Sequence, residues 1–139
     1  MFDHPKPVDL LRRIIQIGTE AKSSDIVMDF FAGSGTTGVA VLEQNAEDGG
    51  NRQFILVQFP EEVGDGTEAR KAGFSNIAEI TKERIRRSGR AIATGPRHAD
   101  WNGDVGFRTL KIDTSNMQDV YYRPDQVDQK DLLQAVDNI

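Results

Sequence analysis

The apolar positions along the chain fall into two rhythms. Val8, Leu10, Leu11, Ile14, Ile15, Ile17 and Ala21 share one half of a helical wheel, and Asp9, Arg12, Arg13, Gln16 and Glu20 share the other. This stripe predicts an amphipathic helix from Pro7 to Ala21. Pro7 suits its first position, where a missing N–H costs nothing, and Gly18 weakens its last turns. From Ile26 to Phe31 the rhythm changes to a nearly continuous apolar run, as in a short strand covered on both faces. Asp29 is its single interruption, close to the carboxyl end. Phe54 to Val57 repeats the pattern as a second buried strand.

Between the two strands, Thr37 to Asn45 reads as a helix with Val39, Ala40 and Leu42 on its apolar side, and Glu47 to Asn51 as a turn. Pro60 to Gly73 is rich in glycine and charge and predicts a mobile excursion. Ile77, Ile80, Arg84 and Ile85 then mark the inward stripe of another helix, capped by Ser75 or Asn76 and ending near Ser88-Gly89. Asn102-Gly103-Asp104 is turn chemistry. Phe107 to Ile112 alternates as a third strand nearer an edge, and Asp128 to Val136 fits a last short helix. Alternating strands and helices predict an α/β fold with Ile26–Phe31 as a central parallel strand.

The joint between the first strand and its helix, Asp29-Phe30-Phe31-Ala32-Gly33-Ser34-Gly35-Thr36-Thr37-Gly38, carries the candidate chemistry. Gly33 and Gly35 allow a sharp turn and close approach of a ligand to the backbone. Thr36 and Thr37 open a helix whose free N–H groups and positive dipole end favour an anion. A ligand with both a carboxylate and a cationic amine would suit the helix start and Asp29 together. A phosphate-cradling P-loop needs a Lys after its last glycine, and Gly35 is followed by Thr36. The dinucleotide pattern G-x-G-x-x-G is met by Gly33, Gly35 and Gly38, but its usual acidic ribose ligand is replaced by Gln58 at the end of the second strand.

At 139 residues the chain suffices for one domain with a real core. The net charge of −5 argues against bulk electrostatic binding of nucleic acid. The charge is uneven: Lys82, Arg84, Arg86, Arg87, Arg90 and Arg97 are opposed only by Glu83, and acids predominate after Asp113. Both stretches read first as solvated surface. With no Cys and only His4 and His98, no metal site is expected. No membrane span or signal peptide is legible, so the default setting is cytoplasmic.

The stretch Asp29 to Thr37 resembles, as one unit, the S-adenosylmethionine-binding signature D-x-F-x-G-S-G-T-T of amino-group DNA methyltransferases. Ahead of it, Lys6-Pro7-Val8-Asp9-Leu10-Leu11-Arg12-Arg13-Ile14-Ile15 resembles the K-P-x-x-L-L-x-x-I-I segment of the same enzymes, although His4-Pro5 abuts Lys6-Pro7 where many members have two residues between. This order of motifs is that of the circularly permuted β class. The segment Glu47 to Gln58 is similar to the modification (Mod) subunits of type III restriction–modification systems, which are adenine-N6 DNA methyltransferases. The resemblance runs from Asp3 to about Asn116.

The resemblance implies a Rossmann-like, three-layer S-adenosylmethionine-dependent methyltransferase fold, of which this chain holds the cofactor-binding half. Residues 1–112 would form the S-adenosylmethionine-binding α/β segment, and residues 113–139 a tail. Asp29 would accept from the methionine amine, while Ala32, Gly33 and Gly35 bring the backbone close. Ser34, Thr36 and Thr37 would surround the methionine carboxylate, Lys6, Pro7 and Phe31 the other walls, and Gln58, Glu61 or Glu62 the ribose. The family's D-P-P-Y-type motif, which stacks on a flipped base, is absent: Pro5, Pro7, Pro60, Pro96 and Pro124 are nowhere adjacent. No catalytic residue is therefore expected in this chain, and the catalytic motif and target-recognition region are expected before Met1. The partners implied are DNA through the complete enzyme, a restriction subunit and a second modification subunit. The rival readings are an NAD-type oxidoreductase domain and a degenerate, non-catalytic assembly domain.

Overall fold

Helix α1 (Val8–Gly18) forms where the apolar stripe predicts it, in a computed structural model that describes residues 6–113. Pro7 stands just outside as the N-cap, and the helix stops at Gly18, with Thr19 closing it by donating its N–H to the Ile15 carbonyl. Its two sides differ. Val8, Leu11 and Ile15 pack inward, while Leu10, Ile14 and Ile17 remain exposed.

Strand β1 (Ile26–Asp29) and strand β2 (Gln53–Leu56) pair in parallel, Ile26 opposite Gln53 and Asp29 opposite Leu56. The connection runs through helix α2 (Thr36–Asp48), which makes the unit a strand–helix–strand crossover. α2 is the most buried element, with Val39, Ala40, Val41, Leu42 and Ala46 all inside. It continues past the expected end at Asn45, and Gly49 (φ +71°) closes it in the left-handed conformation open to glycine. Two apolar clusters hold the layers. Ile15, Ala40 and Val41 gather Val8, Leu11, Val27 and Phe54; Val39, Leu42 and Ile85 gather Leu56, Ile92 and Phe107.

The sheet corrects one expectation. Val27, Phe54 and Leu56 face the helices, but Ile26, Met28 and Ile55 on the other face are exposed. The apolar run is therefore buried on one side only. Among the described residues β1 has one neighbour, β2, so the expected central position is not observed among them. A continuous apolar run records that both faces are apolar, not that both are covered by this stretch of chain.

After β2 the excursion carries a short helix α3 (Glu68–Lys71), capped by the Thr67 hydroxyl, and an isolated antiparallel bridge from Glu62 to Asn76. Helix α4 (Ile77–Thr94) starts as expected, with the Asn76 side chain accepting from the Glu79 N–H at 3.0 Å. It does not stop at Ser88-Gly89. Gly89 is buried inside the helix, where an added Cβ would lie 3.1 Å from the Val105 Cβ. Its role is close packing, which sequence cannot distinguish from a helix stop.

The described residues up to Phe107 form one compact unit. Residues 107–112 form no strand. The expected helix at Asp128–Val136 and the His4 position lie outside the described residues. No described helix is long and apolar enough to cross a membrane.

Candidate cofactor site

β1 ends at Asp29, and the chain turns through Gly33 (φ +52°) and Gly35 (φ +79°) into α2. The Asp29 carboxylate spans this turn. One oxygen accepts the Phe31 N–H at 3.0 Å and the other the Thr37 hydroxyl at 2.5 Å. An ionised carboxylate offers about four acceptor positions, so two remain for a cationic partner. At the helix start, Gly35 is the N-cap and provides no side-chain cap, leaving the first-turn amides without one.

The loop is fastened from two directions. Beside β2, Gln58 accepts the Gly33 N–H at 2.6 Å through its side-chain oxygen, and the Val57 carbonyl accepts the Ala32 N–H at 3.1 Å. The Gln58 Nε2 donates to the Phe59 carbonyl at 2.9 Å, so both ends of the amide are engaged. From α4, the Thr81 hydroxyl donates to the Gly33 carbonyl, and Arg84 Nη1 donates to the hydroxyls of Ser34 and of Thr36, the latter at 2.9 Å. Gly35 also makes room for α4. A Cβ there would stand 3.0 Å from Thr81 Cγ2 and 3.2 Å from Ile85 Cδ1.

The expected residues are thus partly assembled. Asp29, Gly33, Thr37 and Gln58 meet around the turn. Ala32, Ser34 and Thr36 are buried, and the two hydroxyls point toward Arg84. Phe31 is 90% exposed, and Phe30 beside it in the chain and Phe59 next to Gln58 are exposed too. Lys6 and Pro7 are exposed ahead of α1 and make no hydrogen bond to the loop. Thr81 and Arg84 were not among the candidates. The signal available was Arg84 on the inward stripe of α4; the acceptors it finds are about 50 residues away in sequence.

Part of the basic stretch resolves into local pairs. Arg87 donates to Glu83 at 2.7 Å and Arg86 lies 3.9 Å from the same carboxylate. The Arg87 hydrogen bond, with the charges of Arg86, Arg87 and Arg90, holds the Glu83 carboxyl below its ordinary value. Arg86 also covers the Phe107 ring at 5.7 Å. No group of three or more metal-ligating side chains occurs among the described residues.

The fold and the turn together define an α/β unit whose candidate site sits outside the carboxyl ends of parallel strands, where open α/β sheets bind their ligands. The chain belongs to the DNA methylase family, whose model matches residues 1–86. It is similar to the Mod subunit of the type III restriction–modification enzyme StyLTI of Salmonella typhimurium, 43% identical over 85% of this chain and 18% of that protein. It is 39% identical to the EcoPI Mod subunit of Escherichia phage P1 over 79% of this chain and 16% of that one. The type II methyltransferase M.KpnI of Klebsiella pneumoniae is 39% identical over 61% of this chain and 20% of its own length. The chain therefore spans a fifth or less of the length of these curated relatives.

Proposed function

We propose that this chain is the S-adenosylmethionine-binding portion of a site-specific adenine-N6 DNA methyltransferase of a type III restriction–modification system. The observation that carries the reading is the Asp29 carboxylate, held at the strand end by Phe31 N–H and Thr37 with acceptor capacity to spare. A ligand with an amine and a carboxylate on one carbon would place the first against Asp29 and the second toward the uncapped start of α2. Gly33 and Gly35 carry the backbone close, with Thr37 beside the ligand, and Ser34 and Thr36 contribute backbone N–H groups because their hydroxyls face Arg84. Ala32 supports the turn from within, and the exposed Phe31 offers an apolar wall. Lys6 and Pro7 would close the pocket from the α1 side, and Gln58 the ribose side.

The cofactor would supply a methyl group on a sulfonium; the chain's own residues bind and orient it. The parent protein would act on DNA beside a restriction subunit and a second modification subunit, in keeping with the Mod names of the relatives. Its complete fold would be the three-layer, Rossmann-like arrangement, whose further layer would cover the exposed Ile26, Met28 and Ile55 face.

Calorimetric titration with S-adenosylhomocysteine and with NAD tests this. Binding of the first and not the second is expected. Comparable binding of NAD would move the chain to the dinucleotide class, and binding of neither would leave the assembly-domain reading.

A further inference from the structure

Arg84 is half-buried on α4 and forms no ion pair among the described residues, whereas the partly buried Arg12 and the buried Arg52 each face a carboxylate. Its Nη1 donates to Ser34 and Thr36 hydroxyls that lie 3.3 Å apart, and approaches the Ser34 carbonyl at 3.5 Å. Those acceptors are neutral. They satisfy hydrogen bonds and, among the described residues, leave the charge without a carboxylate, which is costly for a group partly removed from water. That charge stands behind the start of α2, where it adds to the positive end of the helix dipole.

We infer that Arg84 is a positioning residue for the anionic end of the ligand. It turns the Ser34 and Thr36 side chains inward, so that the loop presents backbone N–H groups, and it deepens the positive potential there. Thr81 assists by fixing the Gly33 carbonyl. The inference rests on the S-adenosylmethionine reading and adds to it a counter-charge contributed by a helix outside the glycine motif.

The test uses the full chain, its R84M and R84K variants, and two probes read by calorimetry. S-adenosylhomocysteine carries the amine and carboxylate; 5′-methylthioadenosine lacks both. R84M should weaken the first by about tenfold, ~1.4 kcal/mol, and leave the second unchanged, so that the ratio of the two affinities falls. R84K, keeping the charge without the fork, should recover part of that ratio. Equal weakening toward both probes would show a purely structural role and overturn the inference, as would unchanged affinity for S-adenosylhomocysteine. If the unaltered chain binds neither probe, the cofactor reading and this inference fall together.

Discussion

Replacing Arg52 by Met should destabilise the chain by about 3 kcal/mol, the lower end of what breaking a buried ion pair costs. The Arg52 side chain is 2% exposed and ties together three elements. Its Nε donates to the Thr19 hydroxyl at 2.6 Å, and Nη1 to Asp48 at 3.0 Å. Asn45 brackets the Arg52 backbone, accepting its N–H at 3.1 Å and donating to its carbonyl at 2.8 Å. Met fills similar volume, so the loss is electrostatic rather than a cavity. A hydrogen bond to a charged group contributes ~1.5–3 kcal/mol. Three such bonds are lost, the third a long one of 3.4 Å to Asn45 Oδ1, but Asp48 is 27% exposed and can regain water, which lowers the sum. Urea denaturation with an unchanged m-value measures the difference.

Asp48 provides an independent readout. Partial burial raises its pKa, but hydrogen bonds from Arg52 and Gln44, the Arg52 charge and the Gly50 N–H outweigh it and hold the carboxyl below its ordinary value. A depressed acid contributes stability that is present above its unfolded pKa and lost as pH falls through the folded value. The unaltered chain should therefore lose this contribution as pH falls below about 4. R52M should show a smaller loss over the same interval. A variant within ~0.5 kcal/mol of the parent at neutral pH, as ordinary surface changes are, would refute the account of this network.

Asp29→Ala should weaken S-adenosylhomocysteine binding by about 1.5–3 kcal/mol, read by calorimetry; an unchanged dissociation constant would remove Asp29 from the site. Gly35→Ala forces a side chain into φ +79° and against Thr81, and should cost roughly 2 kcal/mol in denaturant melts. The chain itself should transfer no label from S-adenosylmethionine to adenine in mixed-sequence DNA. It lacks the proline–aromatic motif, and the positioning such a motif supplies can reach ~7–11 kcal/mol. Label in N6-methyladenine above a Gly33→Asp control would place a catalytic group among residues read as surface.

Sequence alone determined the local grammar of this protein. The α1 stripe, the strand–glycine turn–helix unit and the Asn76 cap depend on neighbours within a few residues, and each formed close to its expected position. The acid at Asp29 and the glycines of the turn were legible for the same reason. Tertiary structure decided everything that depends on distant residues. It chose Val8, Leu11 and Ile15 as the covered side of a broader apolar face, and left Ile26, Met28 and Ile55 open. It turned Ser34 and Thr36 toward Arg84 and engaged Gln58 with Gly33. It also put Gly50 where an added Cβ would fall 2.7 Å from Asp48 and 2.9 Å from Asn45. Periodicity records which faces are apolar and which backbone angles are accessible; the partner that covers a face or accepts a hydrogen bond is fixed only when segments tens of residues apart pack together.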